Sequence, residues 1–202
     1  MSLLLNLAAT AGHSLANGPG ARAVLWVQGC SLHCKGCHNA RTWAPEPRRL
    51  ATVDSVLAWF KSKPGLRGLT LSGGEPFEQA LALAAISREV RALGADVITF
   101  SGFTLEEIER GARPHAEALL RETDLLVDGR FLRDQPTTLP LRGSANQRLH
   151  FLSARIRPDE IEGLPRGEWL GDGAGGVVSG FALKDIARLL QPCAAGANEG
   201  RT

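Results

Sequence analysis

The sequence has almost no excess of charge and no long apolar run, and these two absences exclude several classes of protein. Its 23 basic and 21 acidic residues leave a formal charge of +2, and no basic stretch is long enough to predict a nucleic-acid partner. No segment approaches the roughly 20 apolar residues that span a bilayer. The opening residues MSLLLNLAAT lack the charged leader of a secretory signal. We therefore expect a cytoplasmic protein that binds neither nucleic acid nor membrane.

Cysteine is scarce, and its distribution excludes a disulfide scaffold. Three of the four cysteines lie within eight positions, and the fourth, Cys193, lies near the other end of the sequence. Disulfide scaffolds spread their cysteines through short secreted chains. Crowding of this kind in a chain without a secretory signal indicates a metal site instead.

Apolar segments alternate with turn residues along most of the 202 residues, which predicts one α/β domain over residues 1–192 and a frayed tail over 193–202. The pattern predicts helices over 53–61 and 80–93, and a third that begins with a capping box at Thr104. It also predicts buried strands over 23–28, 68–71, 96–100 and 124–127. Weaker strands are predicted over 149–152 and 176–179, and a final helix over 181–190.

Strands that alternate with helices predict a short parallel sheet with flanking helices. In such sheets ligands gather at the carboxyl ends of the strands. Four unusual turns each follow a predicted strand: the cysteine loop, the Gly-Gly-Glu turn at 73–75, the turn at Ser101 and the turn at Asp128. We therefore expect these turns to face one common mouth.

The three crowded cysteines, Cys30, Cys34 and Cys37, form a C-x3-C-x2-C array. Three thiolates from one loop can hold three irons of a [4Fe–4S] cluster. Since no fourth cysteine lies nearby, one iron keeps an open position for chemistry, as a catalytic zinc does. The alternatives are structural zinc, with His33 or His38 as the fourth ligand, and three unliganded cysteines.

The array and its surroundings resemble the radical S-adenosylmethionine (SAM) superfamily, whose signature loop is C-x3-C-x2-C after a strand. Residues 17–22 (NGPGAR) resemble the stretch ahead of the cluster in glycyl-radical activating enzymes, and residues 72–76 (SGGEP) are similar to their SAM-binding turn. Residues 128–131 and 142–148 resemble segments of the activating proteins of anaerobic ribonucleotide reductases. The resemblance covers residues 3–152, and the following stretch of about 50 residues matches nothing in it.

The resemblance implies a partial, open β/α barrel that binds SAM at the open iron and cleaves it reductively to a 5′-deoxyadenosyl radical. It implies Glu75 as acceptor for the SAM ammonium, although a glutamate also suits a helix N-terminus. Ser101 is a ribose or carboxylate ligand, or a turn residue only. Asp128 is a ligand, or a residue of a solvated turn or a surface ion pair. The remaining expected cofactor-binding residues are Gly73 and Gly74, through close backbone approach, and Asn39 near the adenosine.

Three functions remain open from the sequence. The first is an activating enzyme that makes a glycyl radical on a partner, an anaerobic ribonucleotide reductase, with a flavodoxin- or ferredoxin-like electron donor. The second is a small radical SAM enzyme that acts on a peptide or heterocycle, which requires a polar substrate pocket after Leu152. The third is a non-enzymatic metal-binding or electron-carrier module, which requires four ligands and has no use for the Gly-Gly-Glu turn.

Overall fold

The computed structural model describes residues 3–171 and 176–180. Its strands are, in chain order, β1 (Leu4–Ser14), β2 (Arg22–Val27), β3 (Leu50–Thr52), β4 (Gly68–Gly73), β5 (Asp96–Phe100), β6 (Leu125–Asp128), β7 (Arg148–Phe151), β8 (Gly167–Gly171) and β9 (Gly176–Gly180). Its α-helices are α1 (Val53–Lys61), α2 (Ala80–Ala92), α3 (Leu105–Glu109) and α4 (Ala116–Arg121). Short 3-10 helices cover Ala40–Thr42, Pro76–Gln79 and Pro158–Glu160.

Seven strands form one sheet in the order β3-β1-β2-β4-β5-β6-β7. The four central strands, β2, β4, β5 and β6, pair in parallel, and β1, β3 and β7 add antiparallel edges. The ends of this order are not paired with each other, so the sheet is open. The predicted α/β class, with a short parallel sheet and flanking helices, is confirmed. The antiparallel edges were not predicted, and they follow from connections that carry no crossover helix.

The two faces of the central strands are buried against different layers. One face, which includes Leu71 and Val97, packs against the α-helices in the main apolar cluster. The other face of β5 and β6, which includes Ile98 and Val127, packs against Ile156 and other residues of the segment that follows β7. Burial on both faces explains why these strands read as nearly continuous apolar runs in the sequence.

The helix ends follow the local signals in the sequence. The Thr52 hydroxyl accepts a hydrogen bond from the Ser55 N–H (3.1 Å) and caps α1. Thr104 and Glu107 form the expected capping box of α3. After α2, Gly94 adopts a φ of 88°, a left-handed conformation that glycine reaches without a steric penalty. These helix ends can be predicted from the sequence because each is determined by residues close to it in the chain.

Some predictions were incomplete or fall outside the described part. The weaker strands at 149–152 and 176–179 are present as β7 and β9, whereas β3 and β8 were missed. The predicted helix over 181–190 and the tail with Cys193 lie outside the described residues, and the extent of the single domain stays a prediction. Within 3–171 and 176–180, no helix has both the length and the apolar character that crossing a membrane requires.

A buried ion pair joins the amino ends of the three central strands β2, β4 and β5. Arg22, whose side chain is fully buried, contacts the Asp96 carboxylate at 2.5 Å. Its guanidinium also donates to the Thr70 hydroxyl (2.8 Å) and the Leu69 carbonyl (3.0 Å). Burial lowers the pKa of Arg22, and the neighbouring Asp96 charge opposes that shift. The pair therefore fixes the register of these strands at the end opposite the turns.

Replacing one member of this pair should be strongly destabilising. Asp96→Asn leaves the Arg22 guanidinium buried without its counter-charge, so the free energy of unfolding should fall by about 3–5 kcal/mol. Denaturant titration followed by circular dichroism measures this loss. The control is Glu117→Gln, which removes an exposed ion pair with Arg121 and should cost less than about 1 kcal/mol. Equal small effects of the two substitutions would contradict a stabilising role for the buried pair.

Candidate functional site

The turns at the carboxyl ends of the parallel strands enclose one cavity of about 720 Å³. It lies where the cysteine loop after β2, the glycine turn after β4 and the turn after β5 meet. Eight of the nine residues that we expected at the site line this cavity: Cys30, Cys34, Cys37, Asn39, Gly73, Gly74, Glu75 and Ser101. Asp128, the ninth, does not. The expectation that these turns share a mouth therefore agrees with the tertiary structure, except for the carboxylate at the end of β6.

Main-chain hydrogen bonds fold the cysteine loop, and the Glu75 N–H donates to the Gly29 carbonyl (2.8 Å) at the base of that loop. The Cys30 N–H donates to the Trp43 carbonyl (3.0 Å), and the Cys37 N–H donates to the Cys34 carbonyl (3.0 Å). Gly36 turns the chain between the second and third cysteine with a φ of 80°, where a side chain would be strained. The loop therefore presents all three cysteine side chains to one cavity.

The donor set fits an iron–sulfur cluster. All three thiols are free and partly exposed to the cavity, and three cysteines in one loop are the ligands that such a cluster uses. Burial raises the pKa of the Cys30 thiol to about 11, so this group is protonated when unliganded. Binding of iron must therefore displace the proton.

The zinc alternative required His33 or His38 as a fourth ligand beside the three cysteines. Among the residues that the structure describes, no group of three or more Cys, His, Asp or Glu side chains converges on a position that a single metal ion could occupy. Each of these two histidines lies near an aromatic ring. The ring of His33 lies 5.0 Å from that of Trp43, and the ring of His38 lies 4.9 Å from that of Phe131.

Glu75 joins two of the turns and is almost completely buried. Its Oε1 accepts hydrogen bonds from the Phe77 N–H and the Ser101 hydroxyl, both at 3.0 Å, and its Oε2 accepts one from the Gly102 N–H at 2.8 Å. Burial nevertheless raises its pKa to about 7. The bond to Phe77 caps the short helix that begins at Pro76, so the helix-terminus interpretation describes one part of its role. A cation in the cavity would supply the missing counter-charge.

The two glycines before Glu75 allow the main chains of neighbouring turns to touch. A Cβ at Gly73 would lie 2.4 Å from the Val27 nitrogen, and one at Gly74 would lie 2.1 Å from the Gly29 carbonyl oxygen. Gly73 also has a φ of 104°. Close packing between the ends of β2 and β4 therefore requires both glycines, whether or not a ligand also approaches them.

Asn39 and Ser101 lie at the edges of the same cavity. The Asn39 N–H donates to the Cys37 Sγ (3.3 Å), and its side-chain amide lies 3.5 Å from the Gly73 carbonyl. Asn39 thus links the cysteine loop to the glycine turn. The Ser101 hydroxyl accepts from the Phe103 N–H (3.0 Å) while it donates to Glu75, so its turn role is established and a ligand role stays a prediction.

Asp128 is buried in an ion-pair network outside the cavity. Its carboxylate accepts hydrogen bonds from the Leu105 N–H and the Arg148 guanidinium, both at 2.6 Å, and lies 3.0 Å from the His150 ring. Asp128 therefore belongs to an ion pair, as one alternative predicted, but the pair involves a fully buried carboxylate and not a surface one. The next residue, Gly129, does line the cavity.

The sequence analysis did not predict that β1 and the β8–β9 hairpin would also line the cavity. Residues 8–13 of β1 contribute small side chains and His13, and the hairpin contributes Trp169, Leu170, Val178 and Ser179. Glycines flank each hairpin strand, which is the one local signal that could have indicated a turn there. Which surface the hairpin covers depends on contacts with residues more than 150 positions away.

Glu75 should make the stability of the ligand-free protein depend on pH. Because its pKa is raised to about 7 in the folded state, the folded protein binds this proton more tightly than the unfolded chain. The protonated Glu75 therefore contributes at most about 3 kcal/mol to the free energy of unfolding. This contribution is complete below about pH 4.5 and is lost as the pH rises through about 7. Glu75→Gln should show a smaller loss of stability between pH 5 and 8, measured by denaturant titration. Parallel curves for the variant and the wild type would contradict this prediction.

Comparison with known proteins agrees with the motifs. Residues 16–150 match the 4Fe-4S single cluster domain family. The anaerobic ribonucleoside-triphosphate reductase-activating protein of Vibrio cholerae is 38% identical over 144 residues, which cover 66% of this chain and 90% of that protein. The protein of the same name from Enterobacteria phage T4 is 34% identical over 139 residues, covering 66% and 85%.

Two more distant proteins are also similar. The pyruvate formate-lyase-activating enzyme of Staphylococcus aureus is 34% identical over 119 residues, which cover 55% of this chain and 47% of that enzyme. The solved structure of QueE from Escherichia coli matches with a TM-score of 0.42 and 15% identity, over 50% of this chain and 53% of the other. The resemblance predicted from the motifs is confirmed by the close relatives: the chain belongs to the 4Fe-4S single cluster domain family, together with the anaerobic ribonucleoside-triphosphate reductase-activating proteins.

Proposed function

We propose that this protein is a radical SAM activating enzyme that forms a glycyl radical on a partner, an anaerobic ribonucleotide reductase. The observation that carries the proposal is the single cavity that three free cysteines share with the buried Glu75 carboxylate. A metal-binding or electron-carrier module has no use for such a carboxylate. The names of the relatives from Vibrio cholerae and phage T4 support the choice of partner.

Each cofactor has residues of the chain that suit it. Cys30, Cys34 and Cys37 would hold the [4Fe–4S] cluster, and Glu75 would accept a hydrogen bond from the SAM ammonium. Together the bound cofactors supply reductive cleavage of SAM and removal of a hydrogen atom from a glycine Cα of the partner. The chain orients SAM and keeps water from the reacting atoms, while the cofactors supply the chemistry.

The reduced cluster requires an electron donor, for which we propose a flavodoxin- or ferredoxin-like protein. Basic side chains lie beside the cysteine loop: Lys35 and Arg133 are exposed, and Arg113 donates to the Ser31 hydroxyl while it pairs with Glu78. An acidic donor surface would be attracted to this side of the protein. Free thiols and a reduced cluster suit the reducing conditions of the cytoplasm.

The alternative of a small-molecule or peptide-modifying enzyme required a polar pocket after Leu152. The segment after Leu152 does reach the cavity, but Trp169, Leu170 and Val178 present mainly apolar surface there. The Ser179 hydroxyl accepts a hydrogen bond from the Asn17 amide (2.7 Å). The hairpin therefore offers few free polar groups for a small polar substrate.

Removing one cysteine of the array should abolish cluster binding and SAM cleavage. Because Cys34→Ala leaves two thiolates for the cluster, we expect anaerobically reconstituted protein to lose iron and sulfide and to form no 5′-deoxyadenosine from SAM and a strong reductant. Iron and sulfide assays with chromatographic detection of the product measure both effects. The matched control is Cys193→Ala, which lies outside the array. A Cys34→Ala protein that still cleaves SAM would contradict the cluster assignment.

Replacing the buried carboxylate should weaken SAM binding without removing the cluster. A hydrogen bond to a charged group contributes about 1.5–3 kcal/mol, so Glu75→Gln should raise the SAM dissociation constant roughly 10- to 100-fold. Equilibrium dialysis at pH 8 with the cluster-loaded protein measures this constant. Glu117→Gln, an exposed glutamate on α4, serves as control. If Glu75→Gln binds SAM as the wild type does, the ammonium contact is excluded.

A further inference from the structure

The hairpin of β8 and β9 forms a wall of the cofactor cavity, although it lies beyond the region that defines the family. The family match ends at residue 150, whereas the hairpin covers Gly167–Gly171 and Gly176–Gly180. Trp169, Leu170 and Val178 line the same cavity as the cysteines. Trp169 keeps 47% of its surface exposed, although tryptophan is usually well buried. A large aromatic ring is therefore left accessible beside the site of radical formation.

Specific hydrogen bonds hold the hairpin in this position. The Glu168 carboxylate accepts from the Leu15 N–H (2.8 Å), the Ala16 N–H (3.2 Å) and the Ser14 hydroxyl. On the other strand, the Ser179 hydroxyl accepts from the Asn17 side-chain amide (2.7 Å). These contacts are made to the last residue of β1 and to the connection between β1 and β2. The hairpin is therefore anchored to the main sheet and placed opposite β1.

The outer edge of β1 beyond Asn6 has no partner among the described strands, and residues 8–13 line the same cavity. On that side β1 pairs with β3 only over Leu4–Asn6, and no other described strand continues the pairing. Residues 8–13 of β1 all line the cavity, and most of them are alanine or glycine. An unpaired strand edge with small side chains is a surface to which an extended peptide can add as a further strand.

We propose that the space between the outer edge of β1 and the β8–β9 hairpin is a channel for the glycine-bearing segment of the protein partner, bound in an extended conformation. This proposal rests on the proposed function, since it names where the substrate of that reaction binds. The edge of β1 supplies main-chain hydrogen bonds, and its alanines leave room for a neighbouring main chain. Trp169 covers the segment with an apolar surface, as aromatic side chains do at the centre of interfaces.

The continuity of the cavity favours a peptide segment as the occupant. The channel opens directly onto the cysteines and Glu75, so a glycine held there lies beside the SAM site. The transfer itself moves one hydrogen atom from the glycine Cα to the adenosyl carbon of SAM, which leaves as 5′-deoxyadenosine with methionine. The electron donor supplies the one electron that this balance requires, and the radical stays on the glycine.

Trp169→Ala tests the channel separately from the chemistry. The full-length, cluster-loaded protein is assayed for two products: 5′-deoxyadenosine without partner, and the glycyl radical, by electron paramagnetic resonance, on the anaerobic ribonucleotide reductase from the same genome. We expect cleavage of SAM without partner to stay within about twofold, and the initial rate of radical formation at limiting reductase to fall at least tenfold, as for loss of an interface anchor. Leu93→Ala, an exposed apolar residue at the end of α2, should leave both products unchanged.

A second variant tests the position of the hairpin rather than its ring. Glu168→Gln weakens the anchor to the β1–β2 connection, and we expect it to lower radical formation on the reductase while SAM cleavage without partner persists. Unchanged radical formation in both variants would overturn the channel and leave the proposed function intact. An equal loss of both products would also overturn it, because the hairpin would then serve SAM. If the wild type cleaves SAM but makes no radical on the reductase, the proposed partner fails, and the channel fails with it.

Discussion

Parallel pairing of β2, β4, β5 and β6 is the constraint on which the rest of the structure depends. Strands that run in one direction bring all their carboxyl ends to one edge of the sheet. At the opposite edge, the first residues of three of these strands, Arg22, Gly68 and Asp96, lie in register. A Cβ at Gly68 would lie 2.3 Å from the Asp96 carbonyl oxygen and 2.7 Å from the Arg22 guanidinium. The amino ends are thus clamped by a buried ion pair, which leaves the carboxyl ends available for chemistry.

Glu75 shows that this arrangement lowers the stability of the fold and at the same time favours a cationic ligand. Three donors from two turns satisfy its oxygens, yet burial still raises its pKa to about 7. A buried carboxylate of this kind lowers stability at neutral pH until a cation approaches it. The group that destabilises the fold at neutral pH is therefore also suited to select a positively charged ligand. In this protein one side chain therefore affects both the stability of the fold and the affinity for a cationic ligand.

The segment beyond the family region serves the fold and the site in different ways. Ile156 and Ile161 close the face of β5 and β6 that the helices do not cover. Further along the chain, the β8–β9 hairpin narrows the cavity opposite β1. The first contribution is ordinary burial of apolar surface. The second adds residues to the lining of the cavity, and a shape added outside the common domain is a means by which one family member can select its own partner.

Much of the fold and of the site could be predicted from the sequence alone, because it depends on interactions between nearby residues. The cysteine spacing, the Gly-Gly-Glu turn and the caps at Thr52 and Thr104 were readable because each depends on residues a few positions apart. The alternation of apolar runs likewise gave the central strands and the helices α1 and α2. Tertiary structure alone decided that Asp128 is engaged by Arg148 and His150, that β1 is antiparallel, and that Trp169 reaches the cavity. Those outcomes depend on contacts between distant residues, whose pairing is set by the packing of the whole sheet and not by any local pattern.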